Sequence, residues 1–251
     1  MSLLMPPNPA TRADALVDDA WLATLIGKPA LRLRPGIDRT DPAVHEALAT
    51  ALRGPSMISA KVATTDIATV QWLASLGFCV VDVNVQLVRE REGRASQPPQ
   101  VFRGKVRLAT ADDEKTVAYI AREAFRYDRF HLDPMISEEV ARDIKEAWVR
   151  NYFGGERGDA MVVAEVERTV EAFLLLLVSP GEGTTIDLIA VDPVRHGRGL
   201  AAAMIEFASM FEPRRFVVGT QAANIASIRL YEKLGFRVSS TQYVMHAHGG
   251  R

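Results

Sequence analysis

Apolar and polar positions recur along this chain with the two periods that separate strands from helices. Alternation, or short apolar runs bounded by turn residues, predicts strands over 31–34, 58–63, 78–88, 105–109, 161–166, 170–178, 186–191 and 216–218, with two more before His246. Spacing by threes and fours predicts helices over 12–26, 42–53, 67–76, 111–125, 137–151 and 200–211, and a last one entered at Asn224. Local signals agree with these limits. Pro42 sits at a first helical position, and Asp66, Ser137 and Asn224 stand where a side chain can cap a helix. Gly77, Gly154 and Gly235 follow the last periodic residue of their helices. From Lys105 onward the order reads β-α-α-β-β-β-α-β-α-β.

One stretch occurs twice. Asp66-Ile67-Ala68-Thr69-Val70 with Leu76-Gly77-Phe78 matches Asn224-Ile225-Ala226-Ser227-Ile228 with Leu234-Gly235-Phe236, at the same spacing. Each copy reads as strand, capped helix, Leu-Gly-Phe exit and strand, which predicts a duplicated unit. The first copy carries Leu73 where the second has Tyr231, and no glycine-rich loop precedes it. Between the copies lies a polar stretch with Pro98-Pro99. The expected division is a degenerate domain over 1–92, a linker over 93–104 and a catalytic domain over 105–251.

Composition narrows the class. With 251 residues, 48% of them hydrophobic and 24% charged, the chain can bury an ordinary core. A net charge of -1 gives no electrostatic case for nucleic acid or an anionic membrane surface. The single Cys79 excludes an internal disulfide; its apolar context predicts a small buried side chain and a cytoplasmic setting. No apolar run approaches the length of a membrane span, and the first residues lack the pattern of a secretory leader.

The most informative stretch follows the strand that stops at Asp192-Pro193, because proline cannot donate to a ladder. Val194-Arg195-His196-Gly197-Arg198-Gly199 then leads into the helix that opens Leu200-Ala201-Ala202. A strand, a tight glycine turn and a helix N-terminus together make a backbone anion site. Gly197 and Gly199 admit a phosphate close to the main chain, and Arg195 and Arg198 add cationic charge. Read alone, the pattern is equally a turn that needs glycine for its shape. It lacks the third glycine of a dinucleotide fingerprint and the Gly-Lys-Ser/Thr of a Walker loop.

This stretch resembles the acyl-CoA loop of the GCN5-related N-acetyltransferases (GNAT), Gln/Arg-x-x-Gly-x-Gly/Ala after a strand ending in Val-x-Pro. Here it is His196-Gly197-Arg198-Gly199-Leu200-Ala201 after Val191-Asp192-Pro193, with His196 departing from the pattern. The element order from Lys105 is also that of the family. The resemblance implies an α/β fold with a mixed central sheet, the GNAT acyl-CoA N-acyltransferase fold, carrying a degenerate N-terminal half-unit. It implies acetyl-CoA as cosubstrate and no metal. Leu188, Ile189, Ala190 and Val191 would receive the pantetheine arm; His196, Gly197, Arg198, Gly199, Leu200 and Ala201 the pyrophosphate; Asn224 and Ser227 would add CoA contacts. Tyr231, in Asn224-x-x-Ser227-x-x-x-Tyr231-x-x-x-Gly235-Phe236, would protonate the departing thiolate.

Residues for the acceptor side are less marked. Thr185 and Gly219 stand where related enzymes often carry a basic glutamate, and neither can take a proton. Asp187 alternates with Ile189 and Val191, so strand geometry puts it on their face; it is the candidate base, a water chain being the other route. Arg129, His131 and Asp133 lie between the first two helices of the catalytic region, where the family borders its acceptor cleft, and are candidates for substrate binding. His131 has no second histidine at metal-ligand spacing. Trp148 and Tyr152 read as core or cleft wall.

Within the family, the N-terminal half-unit, the 129–134 segment and Thr220-Gln221 before Asn224 most resemble the TDP-fucosamine acetyltransferases. This implies a nucleotide-sugar partner, with acetyl passing to the C4 amine of a dTDP-linked 4-amino-4,6-dideoxy sugar. A GNAT acting on a protein N-terminus, an amino acid or an aminoglycoside remains open, as do a non-catalytic acyl-CoA-binding protein and a homodimer.

Overall fold

The computed structural model describes residues 15–90, 102, 104–210 and 215–250. They form two compact units, one of described residues within 15–81 and 242–250, the other of described residues within 82–241. Most of the expected linker over 93–104 lies outside the described residues. No helix among the described residues is long and apolar enough to cross a membrane.

In the first unit, β1 (Leu16–Asp18) pairs antiparallel with β2 (Ala30–Leu33), and β2 runs parallel to β3 (Ser56–Ala63). Helices α1 (Ala20–Ile26), α2 (Pro42–Arg53) and α3 (Ile67–Ser75) accompany them. The helix expected over 12–26 is interrupted: 16–18 is strand, and 12–14 lie outside the described residues. Asp19 starts α1 by accepting the Leu22 N–H at 3.2 Å, so pairing to β2 and this cap outweigh the helical spacing. Leu48, Ile58, Leu73 and Phe78 form the core with Met245 and Ala247.

The second unit orders its strands β4 (Cys79–Glu90), β9 (Arg215–Gln221), β8 (Gly183–Val191), β7 (Thr169–Ser179), β6 (Ala160–Val166) and β5 (Lys105–Leu108). Among the described residues of this unit β8 and β9 run parallel, while β4 with β9, β5 with β6, β6 with β7 and β7 with β8 run antiparallel, so the sheet is mixed. On one face, Ala172, Leu174 and Leu176 pack against α6 (Leu200–Ser209) and α7 (Ile225–Lys233). On the other, Phe173 and Leu175 pack against α4 (Glu114–Ala124) and α5 (Glu138–Phe153). Burial on both faces explains why 172–176 reads as a continuous apolar run instead of an alternation.

The repeated stretch folds alike in both copies. Asp66 Oδ1 accepts the Thr69 N–H and Asn224 Oδ1 the Ser227 N–H, each at 3.1 Å. At the exits, Phe78 N–H donates to Leu73 O at 3.1 Å and Phe236 N–H to Tyr231 O at 2.9 Å. The strands that leave the two copies are exchanged. β4, after the first copy, pairs with β9 of the second, while the end of β10 (Arg237–Gly249) pairs with β3. β10 is one continuous strand where the sequence predicted two. Cys79 is exposed, not buried, because it opens β4 just beyond the turn at Gly77.

Phe78 and Phe236 are both buried, at 3% and 0% exposure. Phe78→Ala and Phe236→Ala are each expected to cost about 3–5 kcal/mol, read from urea denaturation midpoints. A change below about 1 kcal/mol at either site would show that the matched exit is not a core anchor.

Candidate active site

The site begins where two neighbouring strands part. β8 and β9 are paired only through Thr184↔Phe216, Thr185↔Val217 and Ile186↔Val218. Beyond that point β9 continues to Gln221 against β4, and β8 continues to Val191 against β7. The facing edges at 188–191 and 219–221 therefore carry backbone groups that do not pair with each other, a slot that a ligand's amides can fill.

The parting coincides with a bulge. Leu175 faces Leu188 and Leu176 faces Ile186, which leaves Asp187 as the extra residue on β8. The side-chain pattern slips by one there. Ile186, Ile189 and Val191 join the core beneath α6 and α7, while Leu188 and Ala190 join the one beneath α4 and α5. Simple alternation put Asp187 on the face of Ile189 and Val191. The bulge puts it on the opposite face, toward α5.

There the Asp187 carboxylate is held by three donors. Trp148 Nε1 donates to Oδ2 at 2.9 Å, Arg157 Nε to Oδ2 at 2.8 Å, and Arg157 Nη2 to Oδ1 at 2.7 Å. The Asp187 side chain is 9% exposed and that of Arg157 40%. The Arg157 guanidinium also lies 4.9 Å from the centre of the Trp148 ring, a stacked arrangement typical of arginine.

Next to this clamp is a second buried polar group. Lys145 lies one turn before Trp148 on α5, with Nζ 5.1 Å from the Trp148 ring centre, 4.7 Å from that of Phe125 and 3.7 Å from Asp128 Oδ1. Burial pushes the Lys145 amine below the usual lysine value, against the opposing pull of Asp128 and Asp187. For Asp128, burial acts upward, but Lys145, His131 and the Phe130 N–H hold its carboxyl well below the usual carboxylate range. His131 Nδ1 donates to Asp128 Oδ2 at 2.6 Å, and its buried Nε2 has no hydrogen-bond partner among the described residues. The Arg129 guanidinium lies 4.4 Å from the Phe130 ring centre. Asp133 is buried and accepts the Met135 N–H at 2.9 Å, which orders the turn into α5.

At the far end of β8 the glycine loop has the geometry its sequence required. Gly197 and Gly199 both have φ of 79°, and a side chain at either would meet nothing within 4 Å, so the backbone there stands open. Gly199 has no side-chain cap to offer, so the first N–H groups of α6 remain available beyond it. Leu200 is buried beneath them, with Ala201 half-buried. His196 Nε2 lies 3.1 Å from Val191 O, tying the loop to the end of β8. Arg195 and Arg198 both face a buried carboxylate, Glu171, at 3.1 and 3.9 Å. Glu171 Oε2 accepts no hydrogen bond among the described residues.

Across the slot, Asn224 and Ser227 open α7, and Tyr231 lies on the same helix. Tyr231 is 2% exposed, its ring 5.5 Å from that of Phe236. Burial pushes its phenol well above the usual tyrosine value, so the proton stays on the oxygen.

Sequence reasoning missed Asp128, Lys145, Arg157 and Glu171 as members of the site, and read Trp148 only as core or cleft wall. Two left a trace: Lys145 interrupts the buried spacing of Ala141 and Val149, and Glu171 interrupts an apolar run.

Comparison with known proteins agrees with this geometry. The Acetyltransferase (GNAT) family profile matches residues 109–236. Among curated proteins, the spore coat polysaccharide biosynthesis protein SpsD of Bacillus subtilis (strain 168) is 32% identical over 143 residues, 55% of this chain and 49% of that protein. The chain thus matches about half the length of that relative. Among solved structures, a tandem GNAT protein from the clavulanic acid biosynthesis pathway superposes with a TM-score of 0.62 at 15% identity, covering 90% of this chain and 77% of the other. A GCN5-related N-acetyltransferase from Kribbella flavida does so with a TM-score of 0.60 at 16% identity, covering 94% and 88%. At such identities the superpositions speak for the fold, and the profile for the lineage: the chain belongs to the GNAT acetyltransferase family.

Proposed function

We propose that this chain transfers acetyl from acetyl-CoA to a primary amine, and that the amine is the C4 amine of a dTDP-linked 4-amino-4,6-dideoxy sugar. The observation that carries the first part is the slot between β8 and β9, which opens onto a glycine loop and a helix N-terminus. The family assignment supports it. The second part draws support from the relative's role in spore coat polysaccharide biosynthesis and from Arg129 and His131 on the acceptor side.

In this reading acetyl-CoA supplies the acetyl group as an activated thioester. The N–H groups of Gly197 to Ala201 hold its pyrophosphate, with charge from Arg198 and with His196 fixing the loop to Val191 O. Leu188, Ile189, Ala190 and Val191 offer the pantetheine arm the backbone groups that β9 leaves unpaired, and Asn224 and Ser227 border it from α7. Backbone N–H groups beside the bulge stabilise negative charge on the acetyl oxygen as the amine attacks. The new N–C bond forms as the C–S bond breaks, and the amine proton passes to water. Tyr231, protonated at every working pH, gives its hydrogen bond or proton to the sulfur as charge develops there. Arg129 and His131, on the turn that Asp133 orders and with the His131 ring held by Asp128, border the nucleotide sugar. Attack is direct, so orientation supplies much of the rate.

Free CoA release, followed with a dTDP-4-amino-dideoxy sugar, an aminoglycoside and an N-terminal peptide as acceptors, tests the whole reading. Turnover confined to the nucleotide sugar is expected. Turnover on another amine would keep the chemistry and remove the sugar. Binding of acetyl-CoA without turnover on any amine would favour a regulatory acyl-CoA-binding protein. Tyr231→Phe keeps the apolar packing, so it is expected to leave acetyl-CoA affinity within about twofold and to lower kcat by about 100-fold or more. Loss of cofactor binding in that variant would overturn the assigned role.

A further inference from the structure

The bulge that opens the slot has an anchor, and the anchor is made of side chains. We infer that Asp187 is a positioning residue and not the proton acceptor, and that Arg157 and Trp148 position the slot through it. The inference rests on the proposed acetyl transfer for its kinetic consequence, but not for its structural one.

Three observations carry it. Asp187 is the one residue of β8 that has no partner on β7, so the ladder does not fix its backbone. Its side chain supplies what the ladder omits: three hydrogen bonds of 2.7–2.9 Å from two residues. Those donors come from separate places, Trp148 from within α5 and Arg157 from the segment after it. A carboxylate with both oxygens engaged by a guanidinium and an indole, and only 9% exposed, is poorly placed to take a proton from an incoming amine. It is well placed to hold the following residues of β8 at a fixed distance from β9.

Other charged groups near Asp187 do not offer a rival account. Lys145 contributes attraction to Asp187 from the same helix as Trp148, but its own close partner is Asp128, at 3.7 Å. Arg157 forms the paired, fork-like contact, and it is partly exposed, so its replacement should not disrupt the core.

The test compares Asp187→Asn, Arg157→Met, Trp148→Phe and the double variant Asp187→Asn/Arg157→Met. With an amine that the wild type accepts, each single variant is expected to lose about 10- to 100-fold in kcat, since a displacement of about 1 Å in a reacting pair costs that much. The pH profile is expected to keep its shape. The double variant is expected to be no worse than the poorer single one, because both changes break the same contact. If Asp187→Asn abolishes turnover and removes the acidic limb of the profile, while Arg157→Met and Trp148→Phe stay within about twofold of wild type, Asp187 is the base and the anchor fails. A second readout needs no acceptor. Backbone hydrogen exchange over 187–191 in the free protein should speed up in Arg157→Met and Asp187→Asn. Unchanged exchange there would also overturn the anchor. Should no amine be turned over by the wild type, the exchange arm still decides this proposal while the acetyl-transfer reading falls.

Discussion

Everything specific about this molecule depends on a place where backbone hydrogen bonding stops. Two parallel strands pair for three residues each and then part, although each goes on as a strand against its other neighbour. Unpaired backbone groups inside a protein are costly, so such a gap is stable only where a ligand or water completes it. The bulge at Asp187 is what turns β8 away, and the glycine loop lies where β8 then leads. Slot and open glycine loop are thus two consequences of one strand's path.

The charges around the slot are arranged in pairs before any ligand arrives. Arg157 is matched by Asp187, Lys145 by Asp128, and Arg195 and Arg198 by Glu171. A buried charge left alone would cost several kcal/mol or change its protonation, so each is tied to a counter-charge. The pairs also orient: a guanidinium fork fixes a carboxylate in two directions, and a carboxylate under the glycine loop keeps two arginines beside it. At the loop, Arg195 and Arg198 lie beside an anion that is already present, the buried Glu171. Beside Asp128, Nε2 of His131 is buried with no hydrogen-bond partner among the described residues, while Asp128 fixes the other nitrogen of the ring.

The repeated strand–helix–strand shows how one local design serves two purposes. Both copies have the same cap, the same exit and a buried phenylalanine. In one the helix carries Leu73, buried in an apolar core; in the other it carries Tyr231, equally buried yet with a hydroxyl. Only the second is preceded by a glycine loop. The strands that follow the two helices are exchanged, so the compact units do not follow the order of the chain.

The sequence by itself determined what depends on neighbours a few residues apart. The order of elements from Lys105, the caps at Asp66, Ser137 and Asn224, the glycine turn at 197–199 and the family likeness were all legible there. Each is written in periodicity, in capping chemistry or in a need for positive φ. The tertiary structure decided what depends on register and on distant partners. Strand period alone put Asp187 on the wrong face, because a bulge is set by the strand opposite and leaves no mark in its own sequence. The strand at 16–18 formed because β2 offers it a ladder, against its helical spacing. Arg195 and Arg198 meet Glu171, and Lys145 meets Asp128, across distances in sequence that no local pattern spans.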